Sequence, residues 1–174
     1  MTGLVKPIPE SYWVVPGKFL AGEYPASRDE AASRRRISAF LDAGFDTFLD
    51  LTHPGERPDY LPRLQEEAAR LERKIAYHHF PFQDFNVPSS RTMAAVLDAL
   101  DEALAHDHKV YLHCVGGVGR TGTAVGCYLV RHGQSGPQAL DELARLYRSA
   151  AQSAFFPITP ENGRQVIFIR DWQG

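Results

Sequence analysis

The sequence predicts an α/β fold: a central, mostly parallel sheet flanked by helices. Three observations carry this reading. Short apolar runs at 45–51, 75–80 and 110–113 have the length of strands. Segments with apolar residues at spacings of three and four lie between them, and a glycine-rich turn leaves the third run and leads straight into another helical pattern. Strand, helix and strand in succession imply right-handed parallel crossovers.

The elements follow in order. Tyr12 to Val15 and Phe19 to Ala21 flank the turn dipeptide Pro16-Gly17, so residues 1–24 are expected to form an amino-terminal hairpin at a sheet edge, as scaffold. Ser27 followed three residues later by Glu30 has the form of a capping box, and the helix it opens is predicted to run to about Leu41, ahead of Gly44. Its Arg34-Arg35-Arg36 run reads as a solvated face, with a docking patch for an acidic partner as the alternative. Phe45 to Leu51 is the first central strand, and Thr52 to Pro58 has loop chemistry. Leu61, Leu64, Ala68 and Leu71 make the apolar stripe of a helix from about Tyr60 to Arg73, and Ile75 to Phe80 is the next strand. Ser89 or Ser90 caps a helix to about His106, and Val110 to His113 is the third strand of this type. Beyond it, a helix from near Thr121 is expected to stop at Gly133, and Ser135 with Gln138 opens another to about Arg148. Thr159-Pro160-Glu161 offers cap, first-position proline and acid for a last helix to about Trp172.

At 174 residues, 44% hydrophobic and 23% charged, the chain suits one domain over 1–174 with a sizeable core. Nineteen basic against 21 acidic residues give a net charge of −2, which offers no global attraction for nucleic acid or an anionic membrane. Lys6, Lys18 and Arg28 with Pro7, Pro9 and Pro16 break up the start of the chain, so neither a leader nor a membrane span is expected and the location read is cytoplasmic. The oligomeric state is not encoded in any pattern found. His53 and His78-His79 lack companion ligands at metal-binding spacing, so no metal and no cofactor is expected. The two cysteines, Cys114 and Cys127, make no disulfide framework. Cys127, inside an apolar helix, reads as a buried inert thiol, with a redox partner for Cys114 as the alternative.

The stretch that organises the chain is His113 to Gly122, HCVGGVGRTG. Gly116, Gly117 and Gly119 let the peptide curl with successive N–H groups pointing inward, which makes an anion cradle. The following helix adds its first-turn N–H groups and the positive end of its dipole. Five residues, Val115, Gly116, Gly117, Val118 and Gly119, separate Cys114 from Arg120, enough for the guanidinium to fork onto two oxygens of a phosphate above the sulfur. The same fields favour a thiolate, which His113 and Thr121 can support with hydrogen bonds. Full ionisation of an ordinary thiol gains only ~30-fold at neutral pH, about 2 kcal/mol. Most of the acceleration of a phosphate-ester hydrolysis must therefore come from positioning and from donors matched to the phosphoryl oxygens.

His113-Cys114, five residues and Arg120-Thr121 resemble the signature loop of cysteine-dependent protein phosphatases. With the apolar helix that follows, the loop is most similar to that of bacterial dual-specificity-like tyrosine phosphatases, and the likeness extends from the Phe45 strand to the last helix. A dual-specificity phosphatase-like fold and a phosphocysteine intermediate are what the resemblance implies, with a phosphorylated protein or peptide as substrate. Asp84, in Phe82-Gln83-Asp84-Phe85-Asn86-Val87-Pro88, resembles the family's general acid, which precedes a short turn containing proline. The resemblance implies that Thr121 stabilises the departing thiolate, though a plain helix cap explains it equally. It also implies that Gln165 orients water, as a glutamine does in some members, against the alternative of a solvated helix glutamine. Asp50 reads as support for a neighbouring loop, and Glu56 as a border of the pocket. Val115 to Val118 lack the lysines of phosphoinositide-directed relatives, which disfavours a polyphosphorylated head group. A deep phosphotyrosine-binding loop is also missing. Hydrolysis of a nucleotide, sugar or lipid monoester, and a catalytically silent phosphate-binding module, remain as alternatives.

Overall fold

The computed structural model describes residues 4–174, so the first three residues of the expected amino-terminal segment lie outside the described residues. β1 (Ser11–Val15) and β2 (Phe19–Gly22) form an antiparallel hairpin whose turn places Gly17 at φ +76°. The expected hairpin is present and sits at the sheet edge. Three further strands, β3 (Thr47–Asp50), β4 (Ala76–His79) and β5 (Val110–His113), join it in the order β1-β2-β5-β3-β4. The β2–β5, β5–β3 and β3–β4 pairs are all parallel.

The connections explain the layering. α1 (Glu30–Asp42) and α2 (Leu61–Arg70) carry the chain outward from β2 to β3 and then to β4. α3 (Ser90–Ala105) carries it back to the centre at β5. A right-handed crossover that reverses direction must pass over the opposite face. The core divides accordingly. Leu20, Phe48 and Tyr111 face Ile37, Phe40 and Leu64 of α1 and α2, while Phe19, Leu49, Val110 and Leu112 face α3 and the carboxy-terminal helices. This alternation along each strand is the period-2 signature of a sheet buried on both sides.

α4 (Gly119–Arg131) is buried continuously from Gly119 to Leu129, which is why, Arg120 apart, that stretch is built of small, hydroxyl-bearing and apolar residues. α5 (Gly136–Tyr147) and α6 (Gly163–Arg170) pack against it. The register aligns Gly22, His113, Asp50 and His79 across the carboxyl ends of the four parallel strands. A ligand is held outside that row in open α/β sheets.

Several local expectations are corrected. The first helix is capped by Asp29, whose carboxylate accepts from the Ala32 N–H at 2.7 Å; the helix starts at Glu30, so Ser27 lies too early to cap it, and its hydroxyl accepts instead from the Asp29 N–H. The loop helix begins at Gly119 rather than near Thr121, so Arg120 belongs to its first turn. Thr159 does not cap the last helix: its hydroxyl donates to the Val118 carbonyl at 2.7 Å, and Asn162 caps instead by accepting from the Gln165 N–H. The Arg34-Arg35-Arg36 run is not a uniformly solvated face, because Arg34 pairs with the buried Glu67 of α2 and Arg36 with Glu23. The predicted caps at Ser89 and at Ser135 with Gln138 are present as expected.

Close helix packing sets a measurable limit. A Cβ on Gly136 would collide with the backbone of Arg170, which cannot rotate away, whereas one on Gly163 meets nothing within 4 Å. Gly136→Ala is expected to lower the unfolding free energy by about 1–3 kcal/mol in urea titrations. Gly163→Ala should leave it unchanged or slightly raised; equal effects from the two substitutions would contradict this packing.

Candidate active site

The segment after β5 folds as a closed loop, and its hydrogen bonds show which way its groups point. The Cys114 carbonyl lies 3.2 Å from His113 Nδ1 and the Val115 carbonyl accepts from the Tyr24 N–H at 2.9 Å. The Gly116 carbonyl accepts from Gln152 Nε2 at 3.3 Å and the Val118 carbonyl from the Thr159 hydroxyl. Four carbonyls are thus held from outside, so the amides face the interior of the bend. Among the described residues no protein acceptor is paired with the N–H groups of Val115 to Arg120. Gly117 is indispensable to this shape: it has φ +71°, and a Cβ there would strike the backbone of Gly22 and Glu23. The amino-terminal hairpin, expected as mere scaffold, is therefore a wall of the loop.

His113 is fully buried, with Nε2 2.7 Å from the Tyr60 hydroxyl. One neutral tautomer satisfies both contacts: Nδ1–H donates to the Cys114 carbonyl while Nε2 accepts from Tyr60. Burial pushes the imidazole below its ordinary pKa, outweighing the opposing pull of Asp50, and so favours that neutral form. Asp50 accepts at Oδ1 from the N–H and hydroxyl of Thr52 and at Oδ2 from Tyr77, holding the start of the loop after β3. Burial opposes ionisation of Asp50, but its carboxyl lies below the usual range, with the hydrogen bonds from Thr52 and Tyr77 favouring the charged form.

The Cys114 side chain lies at the base of the loop, 3% exposed, with Thr121 Oγ1 3.1 Å from its Sγ. Arg120 is wholly buried, and its contacts divide its guanidinium in two. Nη1 donates to Glu56 at 2.8 and 3.1 Å and to the Phe82 carbonyl at 3.0 Å. Nε and Nη2 have no hydrogen-bond partner among the described residues. Those two atoms form the straight edge of the guanidinium that forks onto paired oxygens. A buried donor left unpaired costs about 1–3 kcal/mol, so the arrangement is suited to an anion that takes both.

Asp84 lies over this edge, its Oδ1 3.4 Å from Arg120 Nη2, and its side chain is 42% exposed. The segment bearing it is fastened to the start of α6: Asn162 Nδ2 donates to the Phe85 carbonyl at 2.9 Å, and Gln165 Nε2 to the Asn86 carbonyl at 3.4 Å. Gln165 is fully buried, and its Oε1 accepts from the Glu161 N–H, so it bridges two loops at the site. The structure thus brings Cys114, Arg120, Thr121, His113 and Asp84 together, with Gln165 joined through the acid segment.

Glu56 matters more than its sequence context suggested. Its carboxylate accepts from the His53 N–H at 3.0 Å as well as from Arg120, so its own turn fixes it as the holder of the guanidinium. Its place in a loop leaving a strand's carboxyl end was the available signal. Cys127 is buried in α4, and burial pushes its thiol well above the ordinary range. Among the described residues no group of three or more histidines, cysteines and acids is placed to hold a metal ion, and no helix is long and apolar enough to cross a membrane.

Comparison with known proteins gives this geometry its context. Residues 9–157 match the family model PTP-SAK, described as the DSP-PTPase phosphatase domain of Swiss Army Knife proteins. The protein tyrosine phosphatase domain-containing protein 1 of Mus musculus is 32% identical over 127 residues, covering 69% of this chain and 17% of the relative. The Arabidopsis thaliana phosphatidylinositol 3,4,5-trisphosphate 3-phosphatase and protein-tyrosine-phosphatase PTEN1 is 32% identical over 135 residues, 73% of this chain and 30% of that protein. The chain therefore spans less than a third of the length of these curated relatives. Among solved structures, Tk-PTP in its active form superposes with a TM-score of 0.73 at 24% identity, covering 94% of this chain and 96% of that one, which is a likeness of fold. With the family model matched from the hairpin to the segment before α6, the chain belongs to the DSP-PTPase phosphatase domain family.

Proposed function

We propose that the protein is a cysteine-dependent phosphomonoester hydrolase acting on phosphorylated proteins or peptides, of the tyrosine or dual-specificity type. The observation that carries this reading is the Nε–Nη2 edge of a buried arginine, which has no hydrogen-bond partner among the described residues and faces a ring of inward amides with a cysteine at its base. Cys114 Sγ attacks phosphorus, the bond to the ester oxygen breaks, and Asp84 gives that oxygen its proton. Water then attacks phosphorus, Asp84 takes its proton, and the phosphorus–sulfur bond breaks to return the thiolate. Thr121, 3.1 Å from Sγ, supplies a hydrogen bond to that leaving sulfur. The amides and Arg120 bind the three non-bridging oxygens in both steps. Substrates with a single phosphate suit the site, because Val115 to Val118 bring no cation and Glu56 and Asp84 already face Arg120. A cytoplasmic setting fits two free thiols.

Cys114→Ser is expected to abolish release of p-nitrophenol from p-nitrophenyl phosphate, and Asp84→Asn to lower kcat by ~10² to 10⁴ with KM little changed. Full activity in the serine variant would reject the assignment of the nucleophile.

Glu56 is a positioning residue in this scheme. Glu56→Ala removes the carboxylate that fixes Nη1, so KM for the same substrate should rise by about tenfold, with Glu56→Gln recovering part of the loss. KM values matching wild type in both variants would rule out that role.

A further inference from the structure

The reaction above leaves Glu161 without a task, although it stands at the cradle. It lies between Thr159, which holds the Val118 carbonyl, and Asn162, which holds the Phe85 carbonyl. Its own N–H donates to Gln165 Oε1 at 3.0 Å. The residue is thereby fixed between the phosphate loop and the acid segment. Its carboxylate rests on Gly119: a Cβ built there would overlap Oε1, so the missing side chain in the loop is what makes room for the acid. Burial and the neighbouring charge of Asp84 hold its carboxyl above the usual range, against the pull of Arg120.

The charges around the guanidinium are unbalanced. One arginine is faced by Glu56 at 2.8 Å and Asp84 at 3.4 Å, with the Glu161 carboxylate resting on the adjacent Gly119, and the loop positions 115–118 hold no lysine. An incoming phosphate dianion is tolerated there because the amides and the Nε–Nη2 edge bond directly to it. A second anionic group on the same substrate finds no such donors and meets the acids instead.

Resting on the phosphatase reading above, we propose that Glu161 is a specificity-determining residue that rejects substrates carrying further negative charge beside the scissile phosphate. The substrate class is then a phosphorylated residue set among neutral or basic neighbours, rather than one in an acidic stretch. A like charge in a partly solvated cleft is expected to weaken binding by roughly five- to tenfold.

The test compares two phosphotyrosine peptides that differ only in flanking residues, asparagine in one and aspartate in the other, with the wild-type chain and with Glu161→Gln and Glu161→Lys. The wild type should favour the neutral peptide in kcat/KM. Glu161→Gln should shrink that preference about five- to tenfold through the KM of the acidic peptide, and Glu161→Lys should shrink it further. A preference unchanged in both variants, or an equal loss on both peptides, overturns the proposal. Wild-type chain that turns over neither peptide nor p-nitrophenyl phosphate would instead defeat the phosphatase reading itself.

Discussion

A positively charged side chain with no exposure to water is the constraint on which the rest of this structure turns. Arg120 is too polar to be buried alone, since a charge removed from water without partners costs several kcal/mol. Glu56 and the Phe82 carbonyl meet that requirement from one side only. Because they bind Nη1, the opposite edge is left facing the loop amides. The ion pair thus fixes the plane of the guanidinium while sparing the atoms that a tetrahedral anion needs.

The architecture delivers each partner to that point. β5 lies at the centre of the sheet, so the loop that leaves it is flanked by the ends of β2 and β3. The β2 end supplies Gly22 and Tyr24 as a wall, and the loop after β3 supplies Glu56. The segment after β4 brings Phe82 and Asp84 from the far side. The α6 start then ties that segment down through Asn162 and Gln165. A loop rich in glycine would wander if left to itself; here three of its carbonyls are held by residues distant in sequence, Tyr24, Gln152 and Thr159.

Much of this could be read from the chain because it is written locally. The strand runs, the spacing of Cys114 and Arg120, and the serine caps of α3 and α5 depend on neighbours in sequence. What escaped depends on tertiary partners. Asp29 rather than Ser27 caps α1 because the helix starts at Glu30, and Asn162 rather than Thr159 caps α6 because the Thr159 hydroxyl donates to Val118. Glu56 looked like an ordinary loop acid until the fold set it beside Arg120, 64 residues away. The hairpin looked like scaffold until Gly117 was found against Gly22. Gln165 was legible as a polar residue on a helix, but its partners, Glu161 and Asn86, lie on two different loops.

The most direct test of the whole account is a calorimetric titration of inorganic phosphate into Cys114→Ser protein with and without Arg120→Lys. Lysine keeps the charge and loses the paired donors, so the account predicts affinity about 10- to 100-fold weaker, the worth of one charge-assisted hydrogen bond or more. Affinity preserved within about twofold would contradict it, since charge alone would then suffice.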